Sequence, residues 1–313
     1  MDRSRLRLPR CLRLGIAALV VVAGLATGDG HPVHAATTLV VDDDGRATMN
    51  DCNAQQRTFG TIQAAVDSAS PGTTILVCPG AYAEQVAITK NDLTVRGAGQ
   101  GSTIIRPGGV PATITGVLLP YVVAPIVLVD GATGVTISKL TVDGSVAESG
   151  ASTLNCPLVG FYVGVHFRNA SGTLDAAQIT KVNSGTRCSS GLRSEGVSSL
   201  VVKDSLVDQS GNFGIVCIGQ TVTCTITGST VKGRGSVTDQ IQAGVNIRAG
   251  ATATIVGNVI RDHTYALAQG VPSKSVGVFL VNADPNVNPH LLQDNTFINN
   301  DLDVQRVSTA AAL

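Results

Sequence analysis

Gly164-Val165-His166-Phe167-Arg168, Gly244-Val245-Asn246-Ile247-Arg248 and Gly277-Val278-Phe279-Leu280 are three versions of one short segment, and their shared pattern decides the fold. After the glycine, apolar residues take the first and third places, the period-two signature of a strand with one buried face. A second strand-forming run follows in the same coil, as in Val135-Thr136-Ile137-Ser138-Lys139-Leu140 and Thr254-Ile255-Val256-Gly257-Asn258-Val259. The distance between the two limbs recurs. Ile126 to Leu140, Val165 to Ile179, Leu192 to Leu206 and Val245 to Val259 are each 14 residues apart, Ile215 to Val231 is 16, and Val278 to Phe297 is 19. Short strands that turn at Gly, Ser, Asn or Asp and repeat in this way predict an all-β parallel solenoid, each coil covering the inner face of the next. The Leu-x-x-Leu-x-Leu signature of leucine-rich repeats is absent.

Working outward, the chain of 313 residues is 43% hydrophobic, with 35 glycines, 6 Phe, 4 Tyr and no Trp. Its first 13 residues carry five arginines, and Leu14 to Ala26 is an apolar run too short for an ordinary membrane span. With Val33-His34-Ala35 as a cleavage motif, residues 1–35 are expected to be a signal peptide, and the product secreted and free of the membrane. Removing them leaves 17 basic and 20 acidic residues, a net charge of −3. That balance lacks the cationic excess that nucleic acid or an anionic membrane surface selects. Residues 36–122 are expected to hold a cap and the first coils, and 123–313 the repeats and a tail, in one continuous domain. A monomer is expected.

Six cysteines remain after the leader, an even count suited to an oxidising compartment. Chain order favours Cys52 with Cys78, Cys156 with Cys188 and Cys217 with Cys224 among the 15 pairings. No Cys-x-x-Cys spacing or paired histidines point to a metal. No cofactor is expected. Asp42-Asp43-Asp44-Gly45 resembles half of a calcium loop but lacks the alternating spacing and the distal Glu.

The N-terminal part carries a more specific pattern. Thr58-Phe59-Gly60-Thr61-Ile62-Gln63-Ala64-Ala65-Val66-Asp67-Ser68-Ala69, followed by Pro71-Gly72-Thr73-Thr74-Ile75-Leu76-Val77 and Cys78-Pro79-Gly80-Ala81-Tyr82-Ala83-Glu84, resembles the start of pectinesterase-like proteins of the pectin-lyase-like superfamily. Leu93-Thr94-Val95-Arg96-Gly97-Ala98-Gly99 continues the likeness. It implies a right-handed parallel β-helix of roughly eight to ten coils over most of residues 38–307, with a short N-terminal capping helix. Ile62, Ala65, Val66 and Ala69 supply the apolar stripe such a helix needs. Other catalytic motifs of the superfamily are missing: no Asp-Phe strand, no Leu-Gly-Arg-Pro segment, no polygalacturonase aspartates and no Asp-Pro-His. Glu84, inside the one matching Gly-x-Tyr-x-Glu, is read as structural.

Two groups of residues offer chemistry. On the outward positions of the first strand, Val127 and Val129 are followed by His166 and Arg168, then Arg193 and Glu195. In register, two arginines would clamp a carboxylate, His166 would move a proton and Glu195 would orient an arginine or act as a base. The plainer reading is a solvated salt-bridge ladder. On the long-loop edge, Asp208 and Asp262 lie two coils apart, ~10 Å, near the upper range of an inverting glycosidase pair. They are equally good turn formers. Tyr162 and Tyr265, with Phe161, are candidates for stacking on sugar rings. The expectation is a secreted β-helix protein that binds carbohydrate, such as a polysaccharide or cell-surface glycan, without catalysis. The alternative is a polysaccharide lyase or hydrolase of uronate polymers.

Overall fold

The computed structural model describes residues 37–43, 52, 59–109, 112–118, 122–145, 161–183, 189–266, 274–281 and 290–307. Residues 1–35, expected to be a signal peptide, and the expected Cys156–Cys188 pair lie outside the described residues. The described chain winds as a right-handed parallel β-helix. Its strands fall into three sheets: A, from Thr38–Val41 to His290–Gln293; B, from Gly80–Ala83 to Thr296–Ile298; and C, from Val86–Ile88 to Leu302–Val307. Each coil visits C, A and B in turn, so sequence neighbours lie in different sheets and hydrogen-bonded neighbours are one coil apart.

The inner face is apolar in every sheet. Val165, Leu192, Ile215, Val245 and Val278 stack in one register column of sheet C, and all belong to a single core cluster. Val142, Ile179, Val207, Val231 and Ile260 form the matching column in sheet B. Two sequence-based assignments shift by one residue. Val165 pairs with Val127, not Ile126, so the outward residues of that strand are Leu128 beside His166 and Asp130 beside Arg168; Val127 and Val129 belong to the core. Likewise Leu206 and Val259 are neighbours of the inward Val207 and Ile260 rather than core anchors.

The corners explain the winding. At the A-to-B corner Lys139, Ala176, Asp204, Gly228, Gly257 and Asp294 all adopt positive φ, between 47° and 66°. Non-glycine residues rarely accept this conformation. Here the N–H of each of the first five reaches the carbonyl of the next coil, as Lys139 N to Asp175 O at 3.1 Å and Ala176 N to Lys203 O at 3.1 Å. One residue further, buried side chains continue the ladder: Ser205 Oγ accepts from Ala177 N, Ser229 Oγ from Ser205 N, Asn258 Oδ1 from Ser229 N and Asn295 Oδ1 from Asn258 N. At the entry to sheet C, Gly164, Gly191, Gly214 and Gly244 stack so closely that a Cβ on each would meet the carbonyl oxygen of the next at 2.6, 2.9, 2.5 and 2.6 Å. That contact, not backbone freedom, requires glycine there.

The helix Ile62–Ser68 buries Ile62, Ala65 and Val66 against the strands Thr38–Val41, Thr74–Val77 and Val86–Ile88. Thr61 caps it, and both oxygens of Glu84 accept from its first amides, Ile62 N at 2.7 Å and Gln63 N at 2.8 Å. A carboxylate is favoured at that positive helix end. Disulfides join Cys52 to Cys78 and Cys217 to Cys224. Among the described residues no helix is long and apolar enough to cross a membrane.

Candidate functional site

Register brings the first group together. His166 lies beside Arg193, and Arg168 beside Glu195, on the outward side of sheet C. Three of the four side chains are not solvated, His166 and Glu195 being 0% exposed and Arg193 3%, while Arg168 is half-buried. Glu195 Oε2 accepts from Arg193 Nη2 at 3.0 Å, and Oε1 lies 3.1 Å from His166 Nε2. The ring is turned out of line with that oxygen, and neither of its nitrogens makes a hydrogen bond. Burial pushes the histidine towards its neutral form despite Glu195. Burial alone would raise the Glu195 carboxyl, but His166 and Arg193 override it and hold it at about 2. Arg193 also lies over the ring of Phe161, 5.1 Å from its centre, and Arg168 forms a two-point ion pair with Asp130. The charges are thus spent on one another beneath a covered surface, so the solvated ladder expected from sequence is replaced by a desolvated one. Tyr162 is corrected as well. It is 0% exposed, part of the core, with its hydroxyl donating to Gly144 O at 3.2 Å; burial raises its pKa, and its ring offers no face to a sugar.

The second group lies at the B-to-C corner, where Asp262 alone of the group lines an open cleft of about 700 Å3, with Lys181, Asn183, Gln209, Lys232 and Arg234. The sequence triplets Ile179-Thr180-Lys181, Val207-Asp208-Gln209, Val231-Lys232-Gly233 and Ile260-Arg261-Asp262 build it. In each, the first residue enters the core and the next two reach the rim. Asp208 stands in register between Thr180 and Lys232, is 7% exposed, and faces Gln178 Nε2 at 3.5 Å. Asp262 sits one place further, in a left-handed corner conformation. Its carboxylate accepts from Arg261 Nε at 2.8 Å and Asn299 Nδ2 at 3.0 Å; the Asn299 contact chiefly, with Arg261, holds it below the usual range. Asp262 is thus occupied in fixing its turn. Lys181 and Lys232 are exposed, with no ion pair or hydrogen bond to their ammonium groups among the described residues, while Arg234 is held by Asp239 at 2.7 and 2.8 Å. Tyr265 is half-buried, its backbone N–H on Asp301. His263, just inside the corner, is buried beside Asn300 at 3.0 Å and its pKa is lowered to about 4, mainly by burial. Sequence reasoning missed Lys181, Gln209, Lys232 and Arg234. Aligning the coils on the sheet B column would have grouped the first three.

Three parallel sheets, coil-by-coil register and ladder-bonded corners define the class: a right-handed parallel β-helix of the pectin-lyase-like kind. A family model described as "Periplasmic copper-binding protein (NosD)" matches residues 85–312, and the chain belongs to that family. Among solved structures, the chain is similar to a pectin methylesterase from Yersinia enterocolitica, at 14% identity over 82% of this chain and 97% of that one, TM-score 0.45. Similar values hold for a family 28 exopolygalacturonase from the same organism, at 14% identity, 88% and 67% coverage and TM-score 0.46. A pectin methylesterase from carrot gives 12% identity, 87% and 88% coverage and TM-score 0.46. No curated protein matches the chain.

The family description raises copper, and the donor chemistry answers it. Among the described residues no three His, Cys, Asp or Glu side chains converge to hold a metal. Cys52, Cys78, Cys217 and Cys224 are consumed in disulfides, His166 and His263 stand singly in buried places, the second bonded to Asn300, and both methionines, Met1 and Met49, lie outside the described residues. Copper favours thiolate, thioether or imidazole ligands. The described residues do not fit it.

Proposed function

We propose that this chain is an exported NosD-family protein that binds a carbohydrate chain along the B-to-C corner and does no chemistry on it. One observation carries the reading: an open polar cleft runs across the coils, from Ser145 through Lys181, Gln209 and Lys232 to Asp262. Five successive coils at the ~4.8 Å strand spacing span ~19 Å, room for a short oligosaccharide. Its lining alternates donors and acceptors, Lys, Asn, Gln and Asp, the mixture that hydroxyl groups satisfy. The Arg-rich start, the apolar run behind it and the periplasmic family description support export.

The test is incubation of the leaderless protein with pectate, alginate and hyaluronan, with and without calcium, reading both binding and released ends. Binding without new reducing or unsaturated ends is expected, weakened ~10-fold or more by Gln209→Ala with Lys232→Ala, since ~1.4 kcal/mol is tenfold and one charged hydrogen bond is worth that much. Release of unsaturated or reducing ends would replace this reading with a lyase or hydrolase of uronate polymers, and failure to bind any polymer would end it.

A further inference from the structure

Residues 112–118 leave the coil path between sheet B and sheet C and fold back, so that Ile114 and Thr115 pair antiparallel with Val123 and Val122. This strap lies on the outward face of sheet C. Its contacts with the charged group are made by backbone alone: Thr115 O accepts from Arg168 Nη1 at 2.9 Å, and Val117 N donates to Glu195 Oε1 at 3.1 Å. At its root, Ala112 exchanges two hydrogen bonds with the Gln85 amide, at 2.9 and 3.0 Å. Apolar burial does little to hold it, because Val117 and Leu118 remain 44% and 40% exposed. Space lies beside it, a groove of about 660 Å3 between Val117, Leu118 and the corner residues Asn169, Val197, Gln220 and Ala249.

The covered face is poorly satisfied. His166 is 0% exposed with both ring nitrogens unbonded, and its Nε2 lies 3.1 Å from Glu195 Oε1, the oxygen that the Val117 N–H of the strap occupies. Buried polar groups almost always find partners, and those that do not destabilise the closed arrangement. A lightly held cover beside an unsatisfied buried imidazole is poised to lift.

We propose that the strap is a removable cover and that the face beneath it is a second, latent site for a polyhydroxylated ligand. The Val117 N–H and Thr115 carbonyl occupy the places where a ligand hydroxyl would donate to Glu195 and accept from Arg168. A sugar ring carries adjacent hydroxyls able to do both, which a purely anionic or apolar ligand does not.

Val117→Pro removes the donated N–H without touching the charged side chains. The readout is carbethoxylation of His166 by diethyl pyrocarbonate, with buried His263 as the internal reference for general unfolding, and with cellotriose and trigalacturonate as probes. Modification of His166 at least ~10-fold faster in the variant than in the wild type, as expected for ~1.4 kcal/mol less hold on the strap, with protection by either sugar, is the expected result. Gln85→Ala, which frees the strap at its root, serves if the proline variant does not fold. Should hydrogen exchange show residues 112–118 released while His166 stays unreactive, the strap is not the cover. Should His166 react faster with no protection by either sugar, there is no site. Protection that survives Lys232→Ala separates this face from the corner cleft, so either reading can fail alone.

Discussion

Glu195 is the residue on which the covered charge cluster turns, and Glu195→Gln keeps its shape while removing its charge. The carboxyl sits at about 2 in the folded protein against 4.5 when unperturbed, a difference worth about 3 kcal/mol at ~1.4 kcal/mol per pH unit. Because the folded value lies below the unfolded one, this stabilisation is complete above pH 4.5 and is lost as pH falls towards 2. The magnitude agrees with the ~3–5 kcal/mol expected when one partner of a buried ion pair is removed and Arg193 is left without its counter-charge. Urea unfolding of both proteins at fixed pH values from 7 down to 2.5 measures it. The wild type should lead by about 3 kcal/mol at pH 7, the lead shrinking below pH 4.5 to about 1 kcal/mol at pH 2.5. A lead that stays constant across this range, or one below ~1 kcal/mol at pH 7, would refute the claim that ionised Glu195 holds the cluster together.

Two further substitutions test the scaffold. Gly214→Ala places a methyl 2.5 Å from Gly244 O, a backbone atom fixed by its own coil, whereas Gly60→Ala meets nothing within 4 Å; the first should cost about 1–3 kcal/mol in urea unfolding and the second less than ~0.5. Equal effects would show that the close glycine stack is not needed. Opening Cys52–Cys78, with a sequence separation of 26, should destabilise by about 3–4 kcal/mol, and opening Cys217–Cys224, with a separation of 7, by about 2. Paired Cys→Ala variants compared by thermal unfolding give the order, and the reverse order would exclude loop closure as the main cause.

The fold was legible because the inner columns are apolar and the glycines recur, so Val165, Val245 and Val278 could be aligned from their neighbours alone. Sheet B was aligned less well. Leu206 and Val259 are apolar but sit beside the inward residues, and an apolar side chain next to a core column looks like a core residue in a linear reading. Ile126 misled for a related reason, since it occupies the corner place that glycine takes in later coils. The neighbours His166–Arg193 and Arg168–Glu195 followed from strand spacing. Their burial did not, because the strap that reaches Glu195 comes from a residue 78 positions away. The corner cleft was partly visible: Asp262 lines it and Asp208 stands in register beside Lys232, while Lys181, Gln209 and Lys232 lack any local motif and converge only when the coils are stacked.

The A-to-B corner has a consequence for how such a chain can change. From the sheet A core residue to the sheet B core residue the first two coils take 7 residues (Ile75 to Tyr82) and 10 (Val95 to Ile105), and then the count settles at five: Ile137 to Val142, Leu174 to Ile179, Val202 to Val207, Ile226 to Val231, Ile255 to Ile260 and Leu292 to Phe297. An inserted residue in one of these six coils would break both corner ladders there. The B-to-C passage keeps no such count, running from 4 residues between Tyr82 and Val86 to 23 between Val142 and Val165. The molecule therefore has a timekeeping edge and an editable edge. New segments can be written into the second without disturbing the first, and it is on the second that the cleft lies.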